Sequence, residues 1–196
     1  MATKQAVVVG VLALQGDFLE HFLVLHKLNV AAKLVKTIAD CKKTDGLILP
    51  GGESTAIGLQ LRENGLGAWL RTAIIQKKYP VYGTCAGSIL LAKRVDSEFS
   101  LKVMDITASR NAYGRQLDSF DEPIESILFK GLRGVFIRAP RITQIAKTVE
   151  MLATHGHDKI LVRQENMLAG TFHPELTGDL RVHKYFFEMV KTYTQR

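Results

Sequence analysis

The run Tyr79-Pro80-Val81-Tyr82-Gly83-Thr84-Cys85-Ala86-Gly87-Ser88-Ile89-Leu90-Leu91 decides how this chain is read. Residues 79–82 are short, apolar and strand-forming, and residues 86–94 favour a helix. Between them lies Gly83-Thr84-Cys85-Ala86-Gly87, a G-x-nucleophile-x-G elbow with Cys in place of Ser. The glycines have a steric reason: a nucleophile on a strained turn needs minimal side chains two residues to either side. A helix N-terminus behind Cys85 supplies partial positive charge that stabilises a thiolate. The Ala86 N–H is then placed to donate to an oxyanion. By itself the elbow also fits a tight turn around an inert buried Cys.

Working outward, the same strand-then-helix rhythm recurs. Residues 6–13 are Val-rich and read as a buried strand. Asp17 can cap the helix that follows, with Phe18, Leu19, Phe22, Leu23, Leu25 and Leu28 on its apolar face. Short strands are expected at 31–35 and 46–49, the latter stopped by Pro50-Gly51-Gly52, and helices at 56–62 and 66–77. The second half reads as strands at 101–107, 124–129, 134–137, 142–146, 151–154, 160–163 and 167–171, closed by an amphipathic helix at 178–192. The expected fold is α/β: a doubly wound, mostly parallel sheet flanked by helices, with an antiparallel extension. Its sites belong at the C-terminal ends of the strands.

With 196 residues, 46% hydrophobic and 23% charged, the chain is expected to form one domain over 1–196. Two cysteines, Cys41 and Cys85, are too few for a disulfide framework, and Cys41 reads as a small buried apolar residue. The apolar run at 6–14 precedes Gln15-Gly16-Asp17 rather than a cleavage site and is too short to cross a membrane. A soluble, cytoplasmic protein is expected. The net charge of +7 is scattered over short clusters such as Lys42-Lys43, Lys77-Lys78 and Arg133/Arg138/Arg141. With no aromatic-interleaved basic stripe, nucleic acid is disfavoured as a partner.

A thiol nucleophile needs a base, and the base an orienter. His21 and His26 lie in the first helix at surface or internally satisfied positions, His155 and His157 flank a turn at Gly156, and His183 lies on the last helix. His173 follows a strand and precedes Pro174-Glu175. Pro174 biases it toward an extended conformation, where residues two apart share a face, so Glu175 can orient the imidazole. A strand-end His beside an unrelated Glu is the plain alternative; combined with Cys85, the pair favours a Cys-His-Glu triad. No Cys/His spacing suits zinc, and neither metal nor cofactor is expected. In Leu49-Pro50-Gly51-Gly52-Glu53-Ser54-Thr55, the glycines free backbone N–H groups to face a ligand. Gly52 is the best second oxyanion donor. Phosphate binding competes, without a Walker Lys, as does a plain turn with Ser54 or Thr55 capping a helix.

Together these segments resemble the class I, triad-type glutamine amidotransferases. Over nearly its whole length the chain is similar to the glutaminase-subunit family of pyridoxal 5'-phosphate synthases (the PdxT/SNO family). The resemblance rests on Gly10-Val11-Leu12-Ala13-Leu14-Gln15-Gly16, Leu49 to Thr55, Gly83 to Gly87, Ser109-Arg110-Asn111-Ala112-Tyr113-Gly114-Arg115-Gln116, Val135-Phe136-Ile137-Arg138-Ala139-Pro140 and Phe172-His173-Pro174-Glu175-Leu176. It implies hydrolysis of L-glutamine to glutamate and ammonia. Cys85 forms a γ-glutamyl thioester, His173 moves the proton and Glu175 orients His173. It further implies glutamine binding at Gly52, Glu53, Ser54, Arg110, Ile137 and Arg138. Arg110 suits the α-carboxylate, whereas Arg138 also reads as a plain surface arginine. The implied partner is a barrel-shaped synthase subunit in a hetero-oligomer, which takes the ammonia into pyridoxal 5'-phosphate, with Gln15 in the coupling. Departures from the family pattern are Ser88, a short stretch at 94–100 and the apolar 56–60; none is expected to touch the triad. The rivals are another triad amidotransferase or γ-glutamyl hydrolase of the same fold, which the Gly52-Glu53-Ser54-Thr55 loop and small size disfavour. A non-catalytic module on this fold is opposed by the intact Cys85/His173/Glu175 set.

Overall fold

Four- and five-residue apolar strands with no exposed face can only be satisfied inside a sheet covered on both sides. The computed structural model, which describes residues 6–96, 99–110 and 119–195, has that arrangement. In chain order the elements are β1 (Val8–Leu12), α1 (Phe18–Lys27), β2 (Ala31–Val35), α2 (Ile38–Cys41), β3 (Gly46–Leu49), α3 (Ser54–Glu63), α4 (Leu66–Lys77), β4 (Val81–Thr84), α5 (Ala86–Leu91) and β5 (Ala92–Val95). Then come β6 (Met104–Ser109), β7 (Phe120–Pro123), β8 (Arg133–Phe136), β9 (Arg141–Ile145), β10 (Glu150–His155), β11 (Asp158–Gln164), β12 (Met167–Gly170), a 3-10 turn (Pro174–Leu176) and α6 (Arg181–Thr194).

The main sheet runs β2-β1-β3-β4-β12-β11-β9-β6-β5, with β10 on β11 and a separate β7–β8 ribbon. From β2 to β12 every pairing is parallel. From β12 to β6 the neighbours are antiparallel, and β5 lies parallel to β6. The expected parallel sheet with an antiparallel extension is therefore present. Strand alternation splits the core in two. Leu47, Leu49, Val81 and Ala169 pack with α3, α4 and α5 on one face. Ile48, Tyr82, Leu168 and Phe172 pack with α1 and α6 on the other. Cys41 is fully buried in the first cluster, and desolvation pushes its thiol up to about 12, as an inert apolar residue should be.

Four expectations are corrected. The helix after Cys85 stops at Leu91, and residues 92–95 form β5 because they pair with β6. Residues 124–129 make one isolated bridge, Glu125 to Thr154, rather than a strand, while β7 at Phe120–Pro123 is new. In α1, Leu19 and Leu23 are 52% and 59% exposed, and the buried stripe is His21, Val24 and Leu25. Asp17 sits at the N-cap of α1 but makes no side-chain cap bond. Among the described residues no helix is long and apolar enough to cross a membrane.

Candidate active site

The chain crosses the sheet in opposite directions from β1, outward to β2 and inward to β3, which opens a crevice at the C-terminal strand ends. Adjacent parallel strands each deliver one loop into it. β1 leads to Gln15 and Asp17, β3 to Gly51-Gly52-Glu53-Ser54, β4 to Cys85, and β12 to His173.

Cys85 is at φ 45°, ψ −108°, a strained conformation for a residue with a Cβ. Its N–H is tied to the Gly170 carbonyl at 2.8 Å, so the neighbouring strand fixes the turn. A Cβ on Gly83 would lie 2.4 Å from the Gly87 carbonyl carbon and oxygen, and one on Gly87 would lie 2.0 Å from the Leu49 carbonyl oxygen. Ser88, a departure from the family pattern that was not expected to touch the triad, is buried and donates its hydroxyl to the Cys85 carbonyl at 2.7 Å. It thus braces the elbow. The Cys85 thiol faces the Ile137 carbonyl at 3.8 Å.

His173 Nδ1 donates to Glu175 Oε1 at 2.7 Å, and both side chains are almost wholly buried. The expected shared strand face is not how they meet. His173 is at φ −108°, ψ 82° and Glu175 lies in the 3-10 turn, so the turn folds the carboxylate back onto the ring. Asp17 Oδ2 is a second acceptor, 3.3 Å from the same Nδ1, which explains its absence from the α1 cap. Burial pulls the imidazole down, but its hydrogen bonds with Asp17, Cys85 and Glu175 outweigh that and raise it to about 12. Glu175 is raised by burial, with the bond to His173 acting against the shift. Asp17, His173 and Glu175 offer ligand atoms within 4.8 Å of one another. Two carboxylates sharing one imidazole N–H account for that proximity.

The glycines of the β3 loop have separate jobs. A Cβ on Gly51 would meet His173 Cε1 at 2.4 Å, so Gly51 makes room for the ring. Gly52, at φ +145°, turns the chain where only glycine is comfortable, against Gln15. Gln15 Oε1 accepts from the Glu53 N–H at 2.7 Å, joining the β1 and β3 loops. Glu53, rather than Ser54 or Thr55, caps α3, accepting from the Thr55 and Ala56 N–H groups. Its carboxylate also pairs with Arg110 Nη2 at 3.0 Å, and Arg110 Nη1 donates to Thr55 Oγ1 at 3.2 Å.

These loops enclose a cleft of about 320 Å³, at the small end for ligand sites. Gly52, Glu53, Ser54, Cys85, Ala86, Arg110, Ile137, Arg138 and His173 all line it. Glu175 lies behind His173, and Gln15 beneath the Glu53 backbone. Arg138 is exposed at φ 46° on the rim. Residues 111–116, part of the family-like stretch, lie outside the described residues.

No site role follows from the sequence alone for Asp17, His21, Thr84 or His183. His21, fully buried, places Nε2 3.0 Å from Thr84 Oγ1 and 3.4 Å from Glu175 Oε2, and Nδ1 2.8 Å from His183 Nε2. One signal was available: His21 is four residues after Asp17 and three and four before Val24 and Leu25, so they share a helix face.

Among solved structures this arrangement matches a crystal structure of a glutamine amidotransferase with TM-score 0.89 at 44% identity, covering 93% of this chain and 98% of that one. It matches PurLQS from Thermotoga maritima in fold alone, with TM-score 0.64 at 16% identity, covering 97% and 100%. A parallel sheet with a Cys elbow and a buried His–Glu pair at its C-terminal edge thus places the chain in the glutamine amidotransferase class. It is 50% identical over 185 residues to the Pseudothermotoga lettingae protein named pyridoxal 5'-phosphate synthase subunit PdxT, covering 92% of this chain and 94% of that one. The Thermus thermophilus protein of the same name is 46% identical, covering 93% and 97%. The model of the SNO glutamine amidotransferase family matches residues 11–192, and the chain belongs to that family.

Proposed function

We propose that this enzyme hydrolyses L-glutamine to glutamate and ammonia and passes the ammonia to a pyridoxal 5'-phosphate synthase subunit. The observation that carries the reading is the strained Cys85 lining one cleft with a His173 whose Nδ1 is held by Glu175 at 2.7 Å. The Cys85 thiol gives its proton to His173 Nε2, and the sulfur attacks the side-chain amide carbon. The carbonyl oxygen becomes an oxyanion held by the N–H groups of Gly52 and Ala86. Collapse breaks the C–N bond, and His173 returns the proton to the departing ammonia, leaving a γ-glutamyl thioester. Water, deprotonated by His173, then releases glutamate and restores the thiol.

The substrate's α-carboxylate and α-amino groups fall to the cleft rim. Arg110 supplies the cation for the carboxylate, and Glu53, Ser54, Ile137 and Arg138 complete the binding set. Gln15 reaches the Glu53 N–H, so a partner docking on the β1–α1 loop acts directly on the loop carrying the Gly52 donor. In this reading the whole chain works as one amidotransferase domain. The setting is the cytoplasm, which suits its free Cys41 and Cys85.

The test is ammonia release from glutamine with and without the synthase subunit. Wild type is expected to be slow alone and stimulated by the partner. Cys85→Ala is expected to lose at least about a thousandfold in kcat, the usual scale for a lost nucleophile. Unchanged hydrolysis by Cys85→Ala sinks the reading, and full activity without the partner removes the coupling.

A further inference from the structure

Behind the proposed triad lies a second set of buried groups that the reaction as written does not use. His21 on α1 and His183 on α6 are both fully buried. Their nitrogens are 2.8 Å apart. The outer oxygen of Glu175, Oε2, has no partner in conventional hydrogen-bond geometry, and neither does His183 Nδ1. A buried carboxylate oxygen left bare is costly, and His21 Nε2 lies 3.4 Å from it.

We propose that His21 is a positioning residue for Glu175, its Nε2–H shared between Glu175 Oε2 and Thr84 Oγ1 in a tautomer fixed by His183. The assignment follows from excluding its opposite. A bare Nε2 would set a nitrogen lone pair against a carboxylate oxygen, which is repulsive, so the proton is on Nε2. Nδ1 of His21 must then accept, and the proton of the 2.8 Å contact belongs to His183 Nε2. His183 Nδ1 is left as the bare atom, a neutral lone pair rather than a charge. Desolvation holds both rings neutral, reinforced at His21 by the neighbouring His183 and His173. The chain of donors therefore runs inward, His183 to His21 to Glu175, and His173 donates to the other carboxylate oxygen. Thr84 immediately precedes Cys85, so one imidazole ties the strand carrying the nucleophile to the carboxylate that orients the base.

This inference rests on the proposed triad, and its tests separate the two. The groups facing Glu175 are His173 beside it, Asp17 from the β1–α1 loop, His21 from α1, Tyr82 from β4 and, through His21, His183 from α6. Removing the His21 donor takes away an interaction that favours the ionised carboxylate, so Glu175 protonates at higher pH. In the complex with the synthase subunit, His21→Leu is expected to lower kcat/KM about 10- to 100-fold, the scale of a hydrogen bond to a charged group. It should also move the acid limb of the pH profile upward. His21→Gln, which keeps an N–H near Nε2, should recover most of the rate and the wild-type limb. A rate loss with an unmoved limb, or no rescue by Gln, overturns the proposal. A wild-type measurement covers the case in which His21→Leu does not fold. Histidine 15N shifts should report His21 as neutral with hydrogen on Nε2 at pH 6, and the Nδ1–H tautomer or an imidazolium there also overturns it. If Cys85→Ala is inactive while the His21 variants keep wild-type profiles, the triad stands and this inference falls. If Cys85→Ala is active, the triad falls, and the tautomer still tests the donor chain.

Discussion

At the scale of single residues, the site is a contest for one imidazole N–H. Glu175 holds it at 2.7 Å from a fully buried position, and Asp17 approaches to 3.3 Å from a half-exposed one. Asp17 raises His173, and its charge also raises Glu175. Asp17→Asn should therefore shift both limbs of the pH profile of kcat/KM toward lower pH, whereas His21→Leu moves the acid limb upward. Because Asp17 is substantially exposed, kcat/KM at neutral pH should change by no more than about fivefold. Steady-state profiles of the partner-bound enzyme check this, and an acid limb that rises in Asp17→Asn contradicts the assignment. Cys85, His173 and Glu175, the proposed triad, stand out in the sequence because each carries a local signature: flanking glycines, a following Pro, a spacing of two. Asp17 and His21 do not. An Asp before a helix reads as a cap and a helical His as a surface or internally satisfied residue, until β12, far along the chain at Met167–Gly170, brings His173 to the one and Glu175 to the other.

At the scale of elements, the β4–α5 elbow is built from backbone contacts that leave no room for a methyl group. Gly87→Ala would press a carbon to 2.0 Å from a backbone carbonyl of β3, and neither partner is a flexible side-chain end. A cost on the order of 3 kcal/mol is expected, read as a lowered urea midpoint. Gly65→Ala is the control. It has positive φ (71°) but nothing within 4 Å of the added carbon, so only about 1 kcal/mol of backbone strain is at stake. Equal losses in the two variants would mean that the crowding at Gly87 is relieved by movement of the elbow. The same elbow shows where local reading stops. Residues 86–94 look helical throughout, yet the chain leaves the helix after Leu91 because Ala92 finds a partner in Met104 across the sheet. In α1 two stripes compete, and the burial of His21 in place of Leu19 and Leu23 is decided by Thr84 and His183. No window of neighbouring residues contains those partners. The parallel half of the sheet was readable because its strands are buried on both faces and announce themselves by composition alone.

At the scale of the whole molecule, the buried histidines couple folding to pH. His21 lies well below its ordinary value and His183 is lowered to about 3, each chiefly by desolvation. A lowered folded-state value means that the unfolded chain binds protons the folded one refuses. The associated stability is intact above about pH 6.5 and is lost as pH falls. Each histidine contributes a slope of about 1.4 kcal/mol per pH unit below that point. Glu175, raised in the folded state, acts oppositely just above pH 4.5, where it takes a proton that the unfolded chain does not. His173, also raised, loses its contribution only as pH climbs above 6.5, so it does not shape the acid side. The net expectation between pH 6 and 4.5 is a loss of roughly 1.4 to 2.7 kcal/mol per pH unit, a large share of a typical 5–15 kcal/mol. His183→Leu, placed beside the Tyr82 ring, removes one of the two protons from this balance. It also leaves His21 Nδ1 without its donor, so its stability at pH 7.5 should be lower by about 1–3 kcal/mol. Its decline on acidification should nevertheless be shallower than that of wild type by about one proton. Urea midpoints at pH 7.5, 6.0 and 5.0 for both proteins distinguish the two effects. Parallel declines would show that His183 is not what the folded state refuses to protonate, and the acid sensitivity would then have to come from His21 alone.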